Sequence, residues 1–228
     1  MIVKWKCSHS KHYTFFVHPN SVAEMNIDTI MEWQEKCYQR ISEELNIDLN
    51  GRIRMYLCTS PEEISQITGC PPCNGMTFDY DLIYAVYNEQ IHCLGPHEDA
   101  HLFSYQIAVP QSLFLKEGFA MYFDGCYHGR RNQDVAKEWY RTRTKFSITS
   151  LKENCLFLQL PENISYPMAG AFTAWLIQKF GVEKYLKFYR SEGELSTLQS
   201  PASDIIDNLF ARDMTNEAEN GAIETTFL

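Results

Sequence analysis

His97, Glu98 and His101 have the residue types and the spacing of a metal site with a base beside it. The two histidines are four residues apart in the run His-Glu-Asp-Ala-His. On a helix their imidazoles therefore project from one face, one turn apart, and can bind one Zn²⁺ from the same side. Glu98 lies one residue along, near the metal but not bound to it, where a general base acting on water must lie. The pattern predicts a hydrolytic zinc site on a helix.

A third metal ligand is predicted at Glu117. A catalytic zinc takes three protein ligands and leaves a fourth position for water. Fifteen residues lie between His101 and Glu117, enough for the end of one helix, a turn at Pro110 and a second helix capped by Ser112. The second helix is mostly apolar, so a carboxylate within it needs a partner, which a metal supplies. The alternative is an exposed acidic residue beside Lys116, but the presence of both segments favours one zinc per chain.

These segments resemble the gluzincins, the zinc metallopeptidase superfamily of thermolysin and aminopeptidase N, and most closely its compact peptidase-MA-like branch. Residues 114–122, Phe-Leu-Lys-Glu-Gly-Phe-Ala-Met-Tyr, are similar to that branch's second helix, where apolar residues precede the ligand Glu and Gly follows it. Residues 75–87 resemble the edge strand, turn and inner strand before the zinc helix. Residues 166–185 resemble the helix that closes the site. The resemblance covers the chain from about residue 10 to residue 190.

The resemblance implies an α+β fold. It would have a small mixed sheet with an edge strand, then the zinc helix, then a mainly helical C-terminal lobe. The expected gluzincin-like catalytic domain spans residues 1–200, with an N-terminal lobe at about 1–106 and a helical lobe at about 107–200. The remaining residues, 201–228, are expected to form a short helix at 202–211 and a disordered tail at 213–228.

The resemblance also implies a mechanism for a zinc-dependent peptidase. Glu98 takes a proton from water as hydroxide attacks a peptide carbonyl, and then passes that proton to the leaving amine. A Tyr or His from the helical lobe stabilises the oxyanion, and Tyr166 is the candidate because it precedes the closing helix. His128 is second, and an exposed surface histidine is the more ordinary reading of it. The peptide is expected to add a strand beside residues 75–78.

The chain also departs from the gluzincin pattern. Where thermolysin-like enzymes carry an Asp one turn after the ligand Glu, to orient a zinc histidine, this chain has Met121. Asp99, Asp124 or a backbone carbonyl are the alternatives for that task. The Gly-x-Met-x-Asn loop with which aminopeptidase N relatives hold a substrate amine is absent, which favours an endopeptidase.

Two other functions compete with the peptidase. In the first, the chain binds zinc as a regulatory or binding module without turnover, a reading that the intact base Glu98 disfavours. In the second, Cys70 and Cys73 form a thiol-based redox sensor. A thioredoxin-like site needs a helix that starts within the Cys-x-x-Cys motif, but Asn74-Gly75 follows the second cysteine and indicates a turn.

Composition narrows the possible partners. The formal net charge of −9 argues against binding to nucleic acid or to an anionic membrane surface. No apolar run reaches the roughly 18 residues of a membrane span, and the N-terminal residues lack a secretory core. A cytoplasmic protein is expected, or a secreted one if a signal peptide was removed. A peptide or protein substrate is expected, and the oligomeric state is left open.

Hydrophobic periodicity predicts the elements that position the candidate site. Strands are predicted at 12–18 and 52–57, a long helix from Ser21 to about Leu45, a short helix from Ser60, and a helix from Pro167 to Phe180. Gly95-Pro96 is predicted to start the zinc helix, and Gly125 is predicted to end the helix of Glu117. Strands early in the chain and helices later agree with the α+β class.

Overall fold

The computed structural model describes residues 4–143, 145–198 and 202–216. It is a mixed α+β structure with one five-stranded mixed sheet and a two-stranded hairpin. The chain forms two compact units, one running to Val109 and the other starting at Pro110.

Over the described residues 4–109, the first unit contains the five-stranded sheet and four helices. Its elements in chain order are β1 (Lys6–His9), β2 (Tyr13–Val17), α1 (Val22–Met25), α2 (Ile27–Leu45), β3 (Ile53–Cys58), α3 (Pro61–Thr68), β4 (Gly75–Phe78), β5 (Leu82–Val86) and α4 (Pro96–Ile107).

The sheet has the strand order β1-β2-β3-β5-β4, so β4 lies at one edge. β3 pairs in parallel with β2 and with β5, whereas β1 and β4 are antiparallel to their neighbours. Alternate residues of β2 are buried, as expected when one face of a strand packs on a core. The sheet and the strands predicted at 12–18 and 52–57 are confirmed.

Two helices in place of one occupy the segment predicted as a long helix from Ser21. The Ser21 hydroxyl accepts a hydrogen bond from the Glu24 N–H at 3.1 Å and caps α1. Asn26 then leaves helical geometry, with φ −105° and ψ 11°, before α2 begins. The apolar face of α2 includes Ile30, Tyr38 and Ile41, which are buried, and α2 packs against α4.

The second unit is mainly helical. Its elements in chain order are α5 (Leu113–Asp124), β6 (Cys126–Tyr127), β7 (Arg130–Arg131), α6 (Asn132–Thr142), a 3-10 helix (Thr149–Lys152), α7 (Asn154–Phe157), α8 (Glu162–Phe180), α9 (Val182–Arg190), a second 3-10 helix (Leu195–Leu198) and α10 (Ser203–Thr215).

Helix α8 is central to this unit because α5, α6 and α9 all pack against it. It begins at Glu162, so the prediction that Pro167 starts the helix is wrong, and Pro167 lies inside the helix. Proline is tolerated best in the first turn of a helix, and for this reason the sequence pattern suggested a start at Pro167. α10 continues to Thr215, past the predicted end at residue 211. The prediction that residues 213–228 form a disordered tail is wrong for residues 213–215, which belong to α10. Residues 217–228 of that tail lie outside the described residues.

Candidate metal centre

The helix that carries the two candidate histidines begins where the sequence predicted. Gly95 precedes α4 with φ +128°, a conformation that residues with a Cβ rarely adopt, and Pro96 takes the first helical position. Both residues are buried. His97 therefore falls in the first turn of α4, and His101 follows one turn later.

The imidazole rings of His97 and His101 lie side by side on α4. Their centroids are 5.0 Å apart and their planes differ by 82°. Both residues are half-buried. Two ring nitrogens can therefore approach one ion while part of each ring remains accessible to solvent.

Glu117 lies on α5, half-buried in the middle of that helix. Ser112 occupies the N-cap position, but its hydroxyl donates to the Lys152 carbonyl at 3.0 Å and makes no capping bond. The prediction that the Ser112 side chain caps the helix is therefore wrong. The Asn154 side chain binds the first N–H of the helix instead, because the Leu113 N–H donates to Asn154 Oδ1 at 2.7 Å. A side chain distant in sequence thus fixes the start of the helix that carries Glu117.

The ligand atoms of His97, His101 and Glu117 form one group, in which all of them lie within 4.8 Å of one another. Two imidazoles and one carboxylate are also a donor set that suits zinc. A group that could hold a metal ion is therefore present, and its residues fit the predicted cofactor.

Glu98 is held against the edge strand β4. The Thr77 hydroxyl lies 2.8 Å from Glu98 Oε2 and 2.9 Å from the Glu98 carbonyl oxygen. A Cβ at position 75 would lie 2.7 Å from Glu98 Oε1 and 2.8 Å from the Cys93 sulfur, so Gly75 leaves the space that the carboxylate occupies. Sequence reasoning missed Thr77. The available signal was the two-residue spacing of Gly75 and Thr77, which places both residues on one face of a strand.

Asp99 is fully buried and belongs to a polar network within the first unit. The Tyr13 hydroxyl donates to Asp99 Oδ2 at 2.7 Å, and Gln34 Nε2 donates to the same oxygen at 2.8 Å. Gln34 also donates to the Gly95 carbonyl at 2.9 Å. Burial raises the pKa of Asp99 to about 7, although the hydrogen bonds from Tyr13 and Gln34 act to lower it. Asp99 thus ties α4 to β2 and α2.

The orienting task suggested for Asp99 or Asp124 stays a prediction. Asp99 Oδ2 accepts from Tyr13 and Gln34, and Asp99 Oδ1 is buried without a partner among the described residues. Asp124 is half-buried as the last residue of α5. Met121, at the position where thermolysin-like enzymes carry an Asp, is buried in the apolar core.

Tyr166 and His128 lie in different surroundings in the second unit. Tyr166 is half-buried in the first turns of α8, and its ring lies 6.0 Å from that of Tyr127 and 5.8 Å from that of Phe157. His128 is exposed at the turn between β6 and β7, with φ +48°. This exposure agrees with the alternative prediction that His128 is a surface histidine. The oxyanion role of Tyr166 stays a prediction.

Cys70 and Cys73 lie in a loop between α3 and β4, as predicted, and both are thiols. Burial raises the pKa of the Cys73 thiol, and the negative charges of Glu98 and Cys70 raise it further. A redox-active cysteine normally has a lowered pKa, because the thiolate is the reactive form. The surroundings of Cys73 therefore oppose a role as a thiol sensor.

In comparisons with known proteins, no family model and no curated protein matches the chain. Within the described residues, no helix is both long enough and apolar enough to cross a membrane.

Proposed function

We propose that this chain is a zinc-dependent peptidase of the gluzincin type, and that it acts as an endopeptidase on peptides or proteins. The observation that carries the proposal is the grouping of the His97, His101 and Glu117 ligand atoms within 4.8 Å. Glu98 follows His97 directly and projects from the same helix turn. A metal site with a carboxylate base beside it supports hydrolysis better than simple metal storage.

In the proposed chemistry the side chains have three functions: they bind the metal, act as a general base and donate a hydrogen bond to the oxyanion. Bound zinc supplies Lewis acidity, which polarises the scissile carbonyl and lowers the pKa of water to about 7. His97, His101 and Glu117 hold the ion. Glu98 accepts the proton of the attacking water and delivers it to the nitrogen of the leaving amine. The Tyr166 hydroxyl is proposed as a hydrogen-bond donor to the developing oxyanion.

The proposed substrate site is the outer edge of β4. This strand lies at the end of the sheet order, and a peptide could pair with it through backbone hydrogen bonds. Thr77 of β4 contacts Glu98 through its side chain. A peptide paired with β4 would therefore lie beside the proposed base, and main-chain pairing would favour internal segments of a substrate over its ends.

Elemental analysis of the purified chain tests the metal first. We expect about one zinc per wild-type chain, and a zinc content lost or greatly reduced in Glu117→Ala. Glu183→Ala is the matched control, because Glu183 is an exposed helical acid in the same unit. A wild-type chain that takes up no zinc at neutral pH would overturn the proposal.

Peptide hydrolysis tests the reaction. Glu98→Gln should bind zinc as the wild type does and should lose about 10²- to 10⁴-fold in turnover of a mixed peptide library, because general-base catalysis supplies that factor. Zinc bound by the wild type with no cleavage of any peptide would favour the alternative, a zinc-binding module without turnover.

A further inference from the structure

We propose that Thr77 is a positioning residue for Glu98, and that its hydroxyl holds one carboxylate oxygen so that the other is presented to water. This inference rests on the proposed function, in which Glu98 is the base. It concerns a residue of the edge strand that neither binds the metal nor reacts.

The Thr77 hydroxyl lies between two acceptors of the same residue. It is 2.8 Å from Glu98 Oε2 and 2.9 Å from the Glu98 carbonyl oxygen. A hydroxyl has one proton to donate, and a hydrogen bond to an ionised carboxylate is the stronger of the two. Threonine is also β-branched, so few side-chain rotamers are open to it and the hydroxyl is held in place. Thr77 therefore fixes Oε2 close to β4.

Gly75 forms the second part of this arrangement. Residues 75 and 77 project from the same face of β4, because side chains alternate along a strand. A Cβ at residue 75 would lie 2.7 Å from Glu98 Oε1. Oε1 therefore lies over the bare Cα of Gly75 while Oε2 is bound by Thr77. The strand distinguishes the two oxygens of the base, and Oε1 is the one that remains to accept a proton.

The expected consequence is an effect on turnover and not on metal binding. A glutamate side chain has several rotatable bonds, and misplacement of a reacting group by about 1 Å can cost about 100-fold in rate. Thr77→Val keeps the shape of the side chain and removes the hydroxyl. We expect it to lower kcat about 10- to 100-fold with KM and zinc content unchanged. Thr77→Ser, which keeps the hydroxyl, should restore most of the lost rate.

The same unit offers a matched control. The Thr59 hydroxyl donates to Glu63 Oε2 at 2.8 Å, the same kind of bond at a glutamate that is not part of the metal centre. Thr59→Val should leave kcat, KM and zinc content at their wild-type values. A kcat loss in Thr59→Val equal to that in Thr77→Val would reduce the effect to general destabilisation and overturn the proposal.

A spectroscopic measurement tests the contact without activity. In metal-free protein labelled with ¹³C at the glutamate carboxyl carbons, the Glu98 resonance is assigned by its absence in Glu98→Gln, and the Glu63 resonance by its absence in Glu63→Gln. Thr77→Val should shift the Glu98 resonance and leave that of Glu63 in place, and Thr59→Val should do the reverse. A Glu98 resonance that Thr77→Val does not shift overturns the proposal, whatever the rates.

The two measurements separate this inference from the proposed function. A shifted Glu98 resonance together with zinc binding but no hydrolysis in any variant would leave the contact established and the peptidase proposal wrong. A shifted resonance with kcat unchanged in Thr77→Val would show that the contact does not position the base. Hydrolysis that requires Glu98 but is indifferent to Thr77 would retain the peptidase and reject Thr77.

Discussion

The two helices that carry the candidate ligands are positioned by different kinds of interaction. Helix α4, with His97 and His101, is tied to its unit by a buried polar network in which Gln34 bonds to Gly95 and Asp99. Helix α5, with Glu117, is positioned by close packing on α8. Gly118 of α5 and Gly170 of α8 allow the two backbones to approach. One ligand-bearing helix depends on hydrogen bonds and the other on shape.

This difference predicts which substitutions each helix tolerates. A hydrogen-bonded anchor is sensitive to removal of one partner, because the remaining buried polar group then lacks compensation. A packed anchor is sensitive to added volume, because protein interiors are as dense as crystals of small organic molecules. The polar anchor should also respond to pH, whereas the packed anchor should not.

The largest expected effect is the pH dependence that Asp99 gives to stability. Burial raises its pKa from 3.8 to about 7, so the folded chain retains a proton that the unfolded chain releases. The stabilisation is complete below pH 4 and is lost as the pH rises through 7. The raised pKa corresponds to about 4 kcal/mol. In metal-free protein, urea unfolding of the wild type and Asp99→Asn should show free energies of unfolding that diverge by about this amount between pH 4 and pH 7.

Glu35→Gln provides a control for the Asp99 experiment, because the pKa of Glu35 is lowered whereas that of Asp99 is raised. Burial raises the pKa of Glu35, but hydrogen bonds from the His12 N–H, Ser10 and the His12 ring outweigh burial and lower it. Its contribution is therefore present at pH 7 and lost in acid. If Asp99→Asn leaves the pH dependence of stability unchanged, the assignment to Asp99 is incorrect.

Gly170→Ala should have the next largest effect, on the packed side of the comparison. The added Cβ would lie 2.7 Å from the Met121 Cβ and 2.5 Å from Asn132 Nδ2. The Met121 Cβ cannot rotate away, so the helices must separate, at a cost of about 3 kcal/mol. Helix propensity alone predicts the opposite sign, because alanine favours a helix over glycine by about 1 kcal/mol.

Thermal unfolding measures the effect of Gly170→Ala. Gln178→Ala is the control, because Gln178 is exposed on the same helix, and it should change stability by about 0.5 kcal/mol or less. A more stable Gly170→Ala would show that α5 and α8 are not in close contact at this point.

The sequence predicted those parts of the site that depend on local spacing. The His97 and His101 pair, the Gly95-Pro96 start of α4 and the glycine at 125 that ends α5 are local signals, and the structure agrees with them. The predicted start of α8 at Pro167 was wrong, because the helix begins five residues earlier, at Glu162, and Pro167 lies inside it.

The contacts that position the site could not be read from the sequence. The bonds from Tyr13 and Gln34 to Asp99 join residues that are 86 and 65 positions apart. The spacing along α2 places Gln34 on the same buried face as Ile30 and Tyr38, but it does not identify the groups that Gln34 bonds to. The strand pattern places Thr77 on one face with Gly75, but its contact with Glu98 depends on the packing of α4 on β4 and not on spacing along the chain.

A smaller effect is expected when Gln34 is replaced by leucine. Gln34→Leu removes the donors to Asp99 and to the Gly95 carbonyl, which are buried, and should cost about 2 kcal/mol. Urea unfolding at pH 7 measures this cost, and zinc titration shows whether α4 still presents its histidines. Gln39→Leu is the matched control. Gln39 lies on the same helix and bonds to Glu43 on the exposed face. Equal costs for the two variants would remove the case for a polar anchor.

The smallest expected effect concerns the start of α5. Asn154 Oδ1 accepts from the Leu113 N–H at 2.7 Å, and Asn154 Nδ2 donates to the Gln111 carbonyl at 3.0 Å. Asn154→Ala should therefore cost about 1 kcal/mol, as loss of a helix cap does. Asn163→Ala, at an exposed position on α8, should cost a few tenths at most. Zinc content should stay near the wild-type value in Asn154→Ala, since packing on α8 still positions Glu117. Loss of zinc in this variant would mean that α5 depends on polar contacts as much as α4 does, and the contrast between the two helices would fail.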